Sequence, residues 1–311
     1  MLLVLVVVLG SVAAGIAAER RHPAAALRMA QLLIQGAVYI ILPVVTFFTV
    51  THVHLTGGVG AGIAFGWAER LVAVLLAYLV GARLLRLPRP ATGALMLAAA
   101  LANTGYLGVP LITALMGDSH PQATGEALTY DVAVSAPAFV LIGFGIGAAF
   151  GRRAGTTVRE RLRAFLLRNP PLVAFALALV APHSWSPDWV YQGAKAGAIG
   201  LAPIGFFALG VFLMQEQEGG ARVFPPRLTA PITAALLIRL VAAPAVMIGL
   251  ALLVSGVPDA FLVQAAMPSG ISALAIAHIY GLELRIVAGA VAWTTAVVLA
   301  AAVAVAALGG L

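Results

Sequence analysis

Ten apolar runs, each long enough to cross a lipid bilayer as a helix, follow one another along the 311-residue chain. A helix needs roughly 20 apolar residues to cross a hydrocarbon core about 30 Å thick. The runs cover residues 2–18, 26–50, 60–85, 92–116, 126–150, 165–182, 190–214, 229–254, 260–281 and 285–309. Because lipid offers the backbone no hydrogen bonds, each run must pair its own amides and carbonyls. The runs therefore predict an all-α polytopic membrane protein with ten transmembrane helices.

Composition excludes a soluble domain, since 62% of the residues are hydrophobic and 9% are charged, against about 25% charged in soluble proteins. The net charge is +7, but most of the basic residues lie in or at the edges of the short segments between the runs. That placement indicates membrane topology, and we expect no nucleic-acid partner. The chain has no cysteine, and it shows no metal-ligand spacing, phosphate loop or nucleophile motif. We therefore expect no cofactor, no metal site and no enzymatic activity.

The basic residues alternate between loops. The odd-numbered loops carry Arg20, Arg21, Arg28, Arg83, Arg86, Arg89, Arg152, Arg153, Arg159, Arg161, Arg163, Arg168, Arg222, Arg227 and Arg285, and the even-numbered loops carry none. Basic residues stay in the cytoplasm, so both termini are predicted on the extracytoplasmic side of the cell (inner) membrane. The first run lacks a basic segment before it and precedes Glu19-Arg20-Arg21, which favours a retained span over a cleaved signal peptide.

Landmarks recur between the two halves of the chain. Leu42-Pro43 corresponds to Ala202-Pro203, and Pro110 corresponds to Pro268. Five spans are an odd number, so the second of two homologous halves would lie inverted in the membrane. This interpretation gives a first five-helix repeat at residues 1–150, a cytoplasmic basic linker at 151–168 and a second, inverted five-helix repeat at 169–311.

Two local features refine this division. The linker carries Leu162, Phe165 and Leu166 among its arginines, a pattern typical of a helix lying on the inner leaflet. A solvated basic loop is the alternative, and both stay open. The sixth run contains Asn169-Pro170-Pro171, and we expect a short helix to begin at these prolines.

Polar, glycine- and proline-containing segments interrupt the fourth run at 101–111 and the ninth at 264–272. Proline lacks an amide hydrogen and clashes with the carbonyl four residues earlier, so Pro110 is predicted to free the Tyr106 carbonyl and Pro268 that of Gln264. Matched breaks in two halves are typical of secondary transporters with a binding site halfway through the membrane. Kinked helices that only pack together are the alternative interpretation.

If the broken helices cross, their polar groups meet at one point. Helix starts carry partial positive charge and favour anions, and the Asn103 amide adds donors without charge. We therefore expect a small organic anion, such as a carboxylate, to bind there. The candidate substrate-binding residues are Asn103, Thr104, Gly105, Tyr106, Pro110, Pro268, Ser269, Gly270 and Ser272.

Ionisable residues inside the runs are costly in lipid and are functional candidates. Glu69 and Arg70 lie near the middle of the third run, and Arg239 lies comparably deep in the eighth. Glu69 is predicted either to exchange a proton while an arginine balances charge, or to form a static pair. Asp131, near the outer end of the fifth run, is predicted to line a vestibule or to cap the helix at the interface. The coupling ion, H⁺ or Na⁺, stays open.

Four stretches together resemble the auxin efflux carrier family: Asn103-Thr-Gly-Tyr-Leu-Gly-Val-Pro110-Leu, Tyr39-Ile-Ile-Leu-Pro43, Asn169-Pro-Pro-Leu-Val-Ala174 and Ala265-Ala-Met-Pro268-Ser. The resemblance implies two inverted five-helix repeats crossing at the fourth and ninth helices, a homodimer through scaffold helices, and transport of malate- or malonate-like acids. It also implies that Asn103 contacts the substrate carboxylate. Plant members carry an acid and a lysine one turn apart in the third helix, whereas the charges here are adjacent.

These observations predict a secondary active or potential-driven efflux carrier of small organic anions that works by alternating access. Bile-acid/sodium symporters and sodium-proton antiporters share the implied architecture, so a sodium-coupled symporter or a cation/proton antiporter is the alternative. An antiporter would be expected to carry acidic residues at the crossing. Because the two interrupted segments contain none, we expect a crossing without an acidic residue. A membrane receptor or enzyme is a further alternative, against which the short loops argue.

Overall fold

The computed structural model describes residues 2–51, 57–116, 119–120, 122–215 and 226–308. Within these residues the regular structure is helical, and a single β-bridge joins two helix breaks. The longer helices are α1 (Leu2–Arg21), α2 (Pro23–Phe48), α3 (Val59–Leu84), α4 (Arg89–Ala100), α5 (Thr104–Met116), α6 (Ala123–Phe150), α7 (Val158–Leu167), α8 (Pro170–Val180), α9 (Asp188–Gln215), α10 (Ala230–Ala251), α11 (Asp259–Ala265), α12 (Ser272–Tyr280) and α13 (Leu284–Ala307). The predicted all-α class is confirmed.

Six described helices, α1, α2, α3, α6, α10 and α13, are long and apolar enough to cross a membrane, and the number is seven if the bent pair α7 and α8 forms one span. Shorter apolar helical stretches lie at Thr104–Met116 and Gly200–Gln215. Every predicted run contains helix, but the count of ten spans and the inverted repeat stay predictions. Arg222, used to predict the topology, lies outside the described residues.

The short helix α8 begins where the sequence predicts. Pro170 lies in its first turn, where the missing amide hydrogen has no cost. The fully buried Asn169 caps the helix, because its Oδ1 accepts a hydrogen bond from Leu172 N at 3.2 Å. Asn169 Nδ2 donates to Val140 O at 2.9 Å, which fastens the start of α8 to α6.

The fourth and ninth runs are both broken, but not by the predicted mechanism. The first break covers residues 101–103, and Pro110 lies inside α5. A wide π-type turn at Thr104–Gly108, in which Val109 N donates to Thr104 O, precedes the proline ring and offers a physical reason why the helix continues past it. In the second break, Met267 N donates to Gln264 O at 3.2 Å. The Gln264 carbonyl is therefore not freed, because the chain tightens into a narrower turn before Pro268.

The broken helices lie in the centre of the bundle. All residues of α4 from Ala91 to Ala100 are buried, and α13 covers one side of this helix. Small side chains make such close packing possible in lipid, where there is little hydrophobic drive between helices. The breaks are consequently enclosed by protein, which is where irregular backbone is tolerated at membrane depth.

Candidate functional site at the crossing of the broken helices

The two breaks pair with each other through their backbones. Asn103 N donates to Pro268 O at 2.8 Å, and Gly270 N donates to Leu101 O at 2.7 Å. These bonds flank an antiparallel bridge between Ala102 and Ser269. The structure thus brings together the two segments that the sequence singles out, and it satisfies backbone groups that neither helix satisfies alone.

Ser269 fastens the crossing to its surroundings. Its Oγ donates to Ala98 O at 2.6 Å, and its amide donates to Thr294 Oγ1 at 3.0 Å. The residue is fully buried. With both groups used inside the protein, Ser269 links the second break to α4 and α13 and presents no free donor to a ligand.

Gln264, at the end of α11, is a site residue that sequence reasoning used only as the start of a break. It is fully buried, and its Nε2 donates to Ala127 O at 3.0 Å and to Thr104 O at 3.4 Å. The side chain therefore ties α11 to α5 and α6. The signal available in the sequence was a polar amide inside an apolar run.

Two fully buried arginines hold the carbonyl ends of the broken helices. Arg70 Nη1 donates to Ala100 O at 3.0 Å, and Arg239 Nη2 donates to Ala265 O. Each arginine thus caps the last residue of the half-helix that follows it in the chain. Helix carboxyl ends carry partial negative charge, so each guanidinium meets a complementary dipole.

Glu69 lies between these arginines. Its Oε1 is 2.7 Å from Arg239 Nη2 and 3.6 Å from Arg70 Nη1, and its Oε2 accepts a hydrogen bond from Tyr130 Oη at 3.3 Å. The carboxylate is fully buried and does not line the cavity described next. Of the two predicted roles, this position favours the static pair, because a buried and fully engaged carboxylate has no direct route to a substrate.

A cavity opens beside the first break, between α2, α5 and α6. Five of the predicted substrate-binding residues line it: Asn103, Thr104, Gly105, Tyr106 and Ser272. Pro110, Pro268, Ser269 and Gly270 do not line it. Pro268 and Gly270 serve instead in the backbone pairing of the breaks, so the second broken segment contributes to this cavity through Ser272, the first residue of α12.

Asn103 is the least satisfied polar residue of the site. Its side chain is 3% exposed, and within the described chain neither Oδ1 nor Nδ2 has a hydrogen-bond partner. A buried amide left without partners costs about 1–3 kcal/mol for each unsatisfied group. Because the Asn103 amide faces a cavity, a ligand or water bound there can supply the missing hydrogen-bond partners.

Asp131 also lines the cavity. It lies in a π-type turn of α6, Asp131–Ser135, and its Oδ1 accepts a hydrogen bond from Thr104 Oγ1 at 2.5 Å. The absence of a side chain on Gly105 leaves room for the carboxylate, since a Cβ there would be 3.0 Å from Asp131 Oδ2. The prediction of an interfacial cap is therefore wrong. The expectation of a crossing without an acidic residue is also wrong, because a different helix supplies one.

π-type turns recur around this site. They occur at Thr104–Gly108, Asp131–Ser135 and Ile238–Ala242, the last of which carries Arg239. Such turns widen a helix locally and are frequent at functional sites. Across the residues that the structure describes, no group of three His, Asp or Glu side chains could hold a metal ion.

Comparison with known proteins gives two matches. Residues 28–305 match the profile of the family described as "Membrane transport protein". The chain is also 24% identical, over 229 residues, to a protein of Methanocaldococcus jannaschii described as an uncharacterized transporter. That alignment covers 71% of this chain and 70% of the relative.

Proposed function

Since the chain belongs to the membrane transport protein family, the auxin efflux carriers, and is thus a multi-pass membrane transporter, we propose that it carries small organic anions such as carboxylates. The substrate binds halfway through the membrane, in the cavity beside the crossing. Rocking of one helix bundle against the other exposes this cavity to each side in turn. The family points to transport rather than catalysis.

The observation that carries this proposal is the side-chain amide of Asn103, which has no hydrogen-bond partner among the described residues. It lies in the cavity directly before α5, which begins at Thr104, and the start of α12 at Ser272 lies on the same cavity. Two helix starts supply partial positive charge, and Asn103 Nδ2 supplies donors. A carboxylate group placed here accepts hydrogen bonds that the protein itself leaves unmade.

Asp131 bears on which ion is transported together with the organic anion. No arginine or lysine among the described residues lines the cavity, although Arg70 acts on Asp131 as a neighbouring positive charge. Two carboxylates sharing one site cannot both be ionised without a large cost. We therefore assign Asp131 as the proton-coupling residue, which is protonated when the substrate carboxylate binds.

The buried arginines favour H⁺ over Na⁺ as the coupling ion. In carriers built from broken helices, the carboxyl ends of half-helices coordinate the sodium ion. Here Arg70 and Arg239 occupy the ends of α4 and α11, and Glu69 neutralises part of their charge. We assign these three residues to charge balance at the crossing, with the static pair as their role.

A cation/proton antiporter is the second candidate, and a specific observation favours it. Asp131 places an acidic group in a cavity whose other described lining residues are uncharged. An ionised Asp131 would attract a cation and repel an anion. The two candidate functions thus differ in whether the Asp131 carboxyl group is protonated or ionised when the substrate binds.

The proposed transmembrane topology is based on the inverted repeat. We propose ten spans in two inverted repeats, at residues 1–150 and 169–311, with both termini on the extracytoplasmic side and a homodimer formed through scaffold helices. The equivalent roles of Arg70 and Arg239, each capping the half-helix that follows it, support the repeat. The antiparallel pairing at Ala102 and Ser269 supports it as well.

Ligand-dependent stability tests the substrate class. Purified protein is heated with a panel of mono- and dicarboxylates, because a ligand that binds the folded state raises the unfolding temperature. We expect a subset of carboxylates to do so, and Asn103→Ala to abolish the effect. Val109→Ala is the matched control, because it removes apolar lining from the same cavity but leaves the Asn103 amide in place. We expect this variant to retain the stabilisation by carboxylates.

Flux then separates the two candidates. In proteoliposomes we expect a carboxylate to move with an imposed proton gradient and without regard to sodium. Cation movement that persists in the absence of any carboxylate would establish the antiporter instead. If carboxylates still stabilise Asn103→Ala, the assignment of Asn103 as a substrate-binding residue is wrong.

A further inference from the structure

The linker between α6 and α8 is a capped helix. Thr157 Oγ1 accepts a hydrogen bond from Glu160 N at 3.2 Å, and Glu160 Oε2 accepts one from Thr157 N at 3.0 Å. This reciprocal capping box starts α7. The bonds from the amides of Thr157 and Thr156 hold the pKa of the Glu160 carboxyl below its ordinary value. The alternative of an irregular basic loop is therefore wrong for these residues.

α7 is turned sharply away from the helix that follows it. The axes of α7 and α8 are bent by 67° at the break between them. Because α8 is an apolar helix of the membrane bundle, a bend of this size turns α7 towards the plane of the membrane surface. The predicted cytoplasmic side of the linker places that surface at the inner leaflet.

One side of α7 is fixed to the bundle. Ala164 is buried, and its carbonyl accepts a hydrogen bond from Tyr280 Oη at 3.0 Å. Arg161 Nη1 donates to Ala149 O at 3.0 Å. These contacts leave the opposite side of the helix facing away from the protein.

That outward side carries an apolar stripe. Val158, Leu162 and Leu166 are 84%, 56% and 50% exposed. Their spacing of four residues places them above one another on a helix. An exposed apolar stripe on a helix next to a membrane bundle is suited to the boundary between headgroups and acyl chains.

Two exposed arginines lie beside this stripe. Arg159 and Arg163 are also four residues apart. Within the described part of the chain neither has a hydrogen-bonding or carboxylate partner, whereas Arg168 Nη1 donates to Arg153 O at 2.9 Å. The fold thus uses some linker arginines internally and leaves these two guanidinium groups available to an outside anion.

We propose that α7 is a binding site for anionic phospholipid of the cytoplasmic leaflet. The stripe of Val158, Leu162 and Leu166 enters the acyl boundary, and Arg159 and Arg163 bind the phosphate of the headgroup. Arginine matches phosphate with paired donors, and clustered cations next to an apolar face bind anionic lipid surfaces.

A short chain of contacts connects α7, the proposed lipid site, to the crossing of the broken helices. Tyr280, which bonds to Ala164, is the last residue of α12, and Arg153 Nη1 donates to His278 O in the same helix at 2.8 Å. The Arg168 guanidinium lies 5.9 Å from the centre of the Tyr280 ring. Anionic lipid is therefore expected to stabilise the whole protein, not the linker alone.

The position of the stripe is tested by labelling, which the absence of native cysteine simplifies. Leu162→Cys and Thr156→Cys each receive an environment-sensitive probe in vesicles containing phosphatidylglycerol. We expect an apolar environment at residue 162 and water at residue 156. Water at both residues would overturn the proposal.

The headgroup contact is tested by charge removal. Added phosphatidylglycerol is expected to raise the unfolding temperature of the detergent-solubilised protein more than phosphatidylcholine does. In Arg159→Gln/Arg163→Gln its apparent affinity should fall by about tenfold or more. Arg83→Gln/Arg227→Gln removes two exposed charges elsewhere on the same predicted side and should leave the affinity unchanged.

Two outcomes contradict the proposal. An equal loss of affinity in both double variants would show that net charge matters and α7 does not. An equal rise of the unfolding temperature with inorganic phosphate would show a free-anion site instead of a lipid site. Neither outcome depends on which substrate the carrier moves, because no transport substrate is present in these measurements.

Discussion

Asp131 and Glu69 are two carboxylates that the fold places in different surroundings. Asp131 faces the cavity and accepts one hydrogen bond, from Thr104. Glu69 is fully buried between Arg70 and Arg239. A group that exchanges protons with substrate needs access to the cavity, whereas a group locked in ion pairs mainly holds helices together. The two residues should therefore respond differently to loss of charge.

Asp131→Asn keeps an oxygen to accept from Thr104 and removes the titrating group. We expect carboxylate binding to become independent of pH. Under the proposed coupling, the native site binds the anion only while Asp131 is protonated, and its binding therefore weakens as pH rises. Accumulation driven by a proton gradient should disappear. Thermal shifts and flux measured across a pH series check both effects, and an unchanged pH profile would contradict the assignment.

Glu69→Gln leaves two buried arginines without their carboxylate. Removing one partner of a buried pair costs about 3–5 kcal/mol, so we expect a clear loss of stability in thermal unfolding. The protein that remains folded should keep the pH dependence of transport. Loss of that dependence at wild-type stability would instead make Glu69 the proton carrier.

At the scale of elements, α1 and α9 approach each other so closely that their glycines lie against the backbone of the partner helix. A Cβ on Gly15 would lie 2.1 Å from Phe207 O, and one on Gly210 would lie 2.3 Å from Val12 O. Both obstacles are backbone atoms, which cannot move without shifting a helix. Small residues that allow such an approach are typical of packing between membrane helices.

Gly15→Ala is expected to separate α1 from α9 and to lower the unfolding temperature. Gly10→Ala, in the same helix, is the matched control, because a Cβ there meets no atom of the described residues within 4 Å. Thermal unfolding of the two variants in one detergent measures the difference. Equal stability of the two variants would mean that the helices are not in this contact.

At the scale of the whole molecule, the arginine distribution and the helix order predict a topology that labelling can test. Ser119 lies in an even-numbered loop and Thr156 in the basic linker. In the cysteine-free background, Ser119→Cys should react with an impermeant reagent from outside the cell. Thr156→Cys should react only after permeabilisation. Labelling of both residues from the same side would contradict the alternating topology and with it the inverted repeat.

Much of the architecture follows from local sequence. The length of the apolar runs determines the all-helical membrane fold. Unpaired backbone groups are costly in lipid, and a helix pairs its amides and carbonyls within a single run. Asn169-Pro170-Pro171 determines the start of α8. The positions of the two breaks follow approximately from clustered polar residues and glycines, although proline chemistry alone misplaced the first one.

The composition of the site was decided by the tertiary structure. The sequence analysis placed both Asn103 and Ser269 among the substrate-binding candidates. In the structure the Asn103 side chain faces the cavity without a partner among the described residues, whereas Ser269 is hydrogen-bonded to Ala98 and Thr294. Asp131 reached the crossing on another helix. The ion pair between Arg239 and Glu69 joins residues that are 170 positions apart in the chain. Local sequence determines where a helix forms and breaks, whereas a charge or an amide finds its partner only when distant helices pack together.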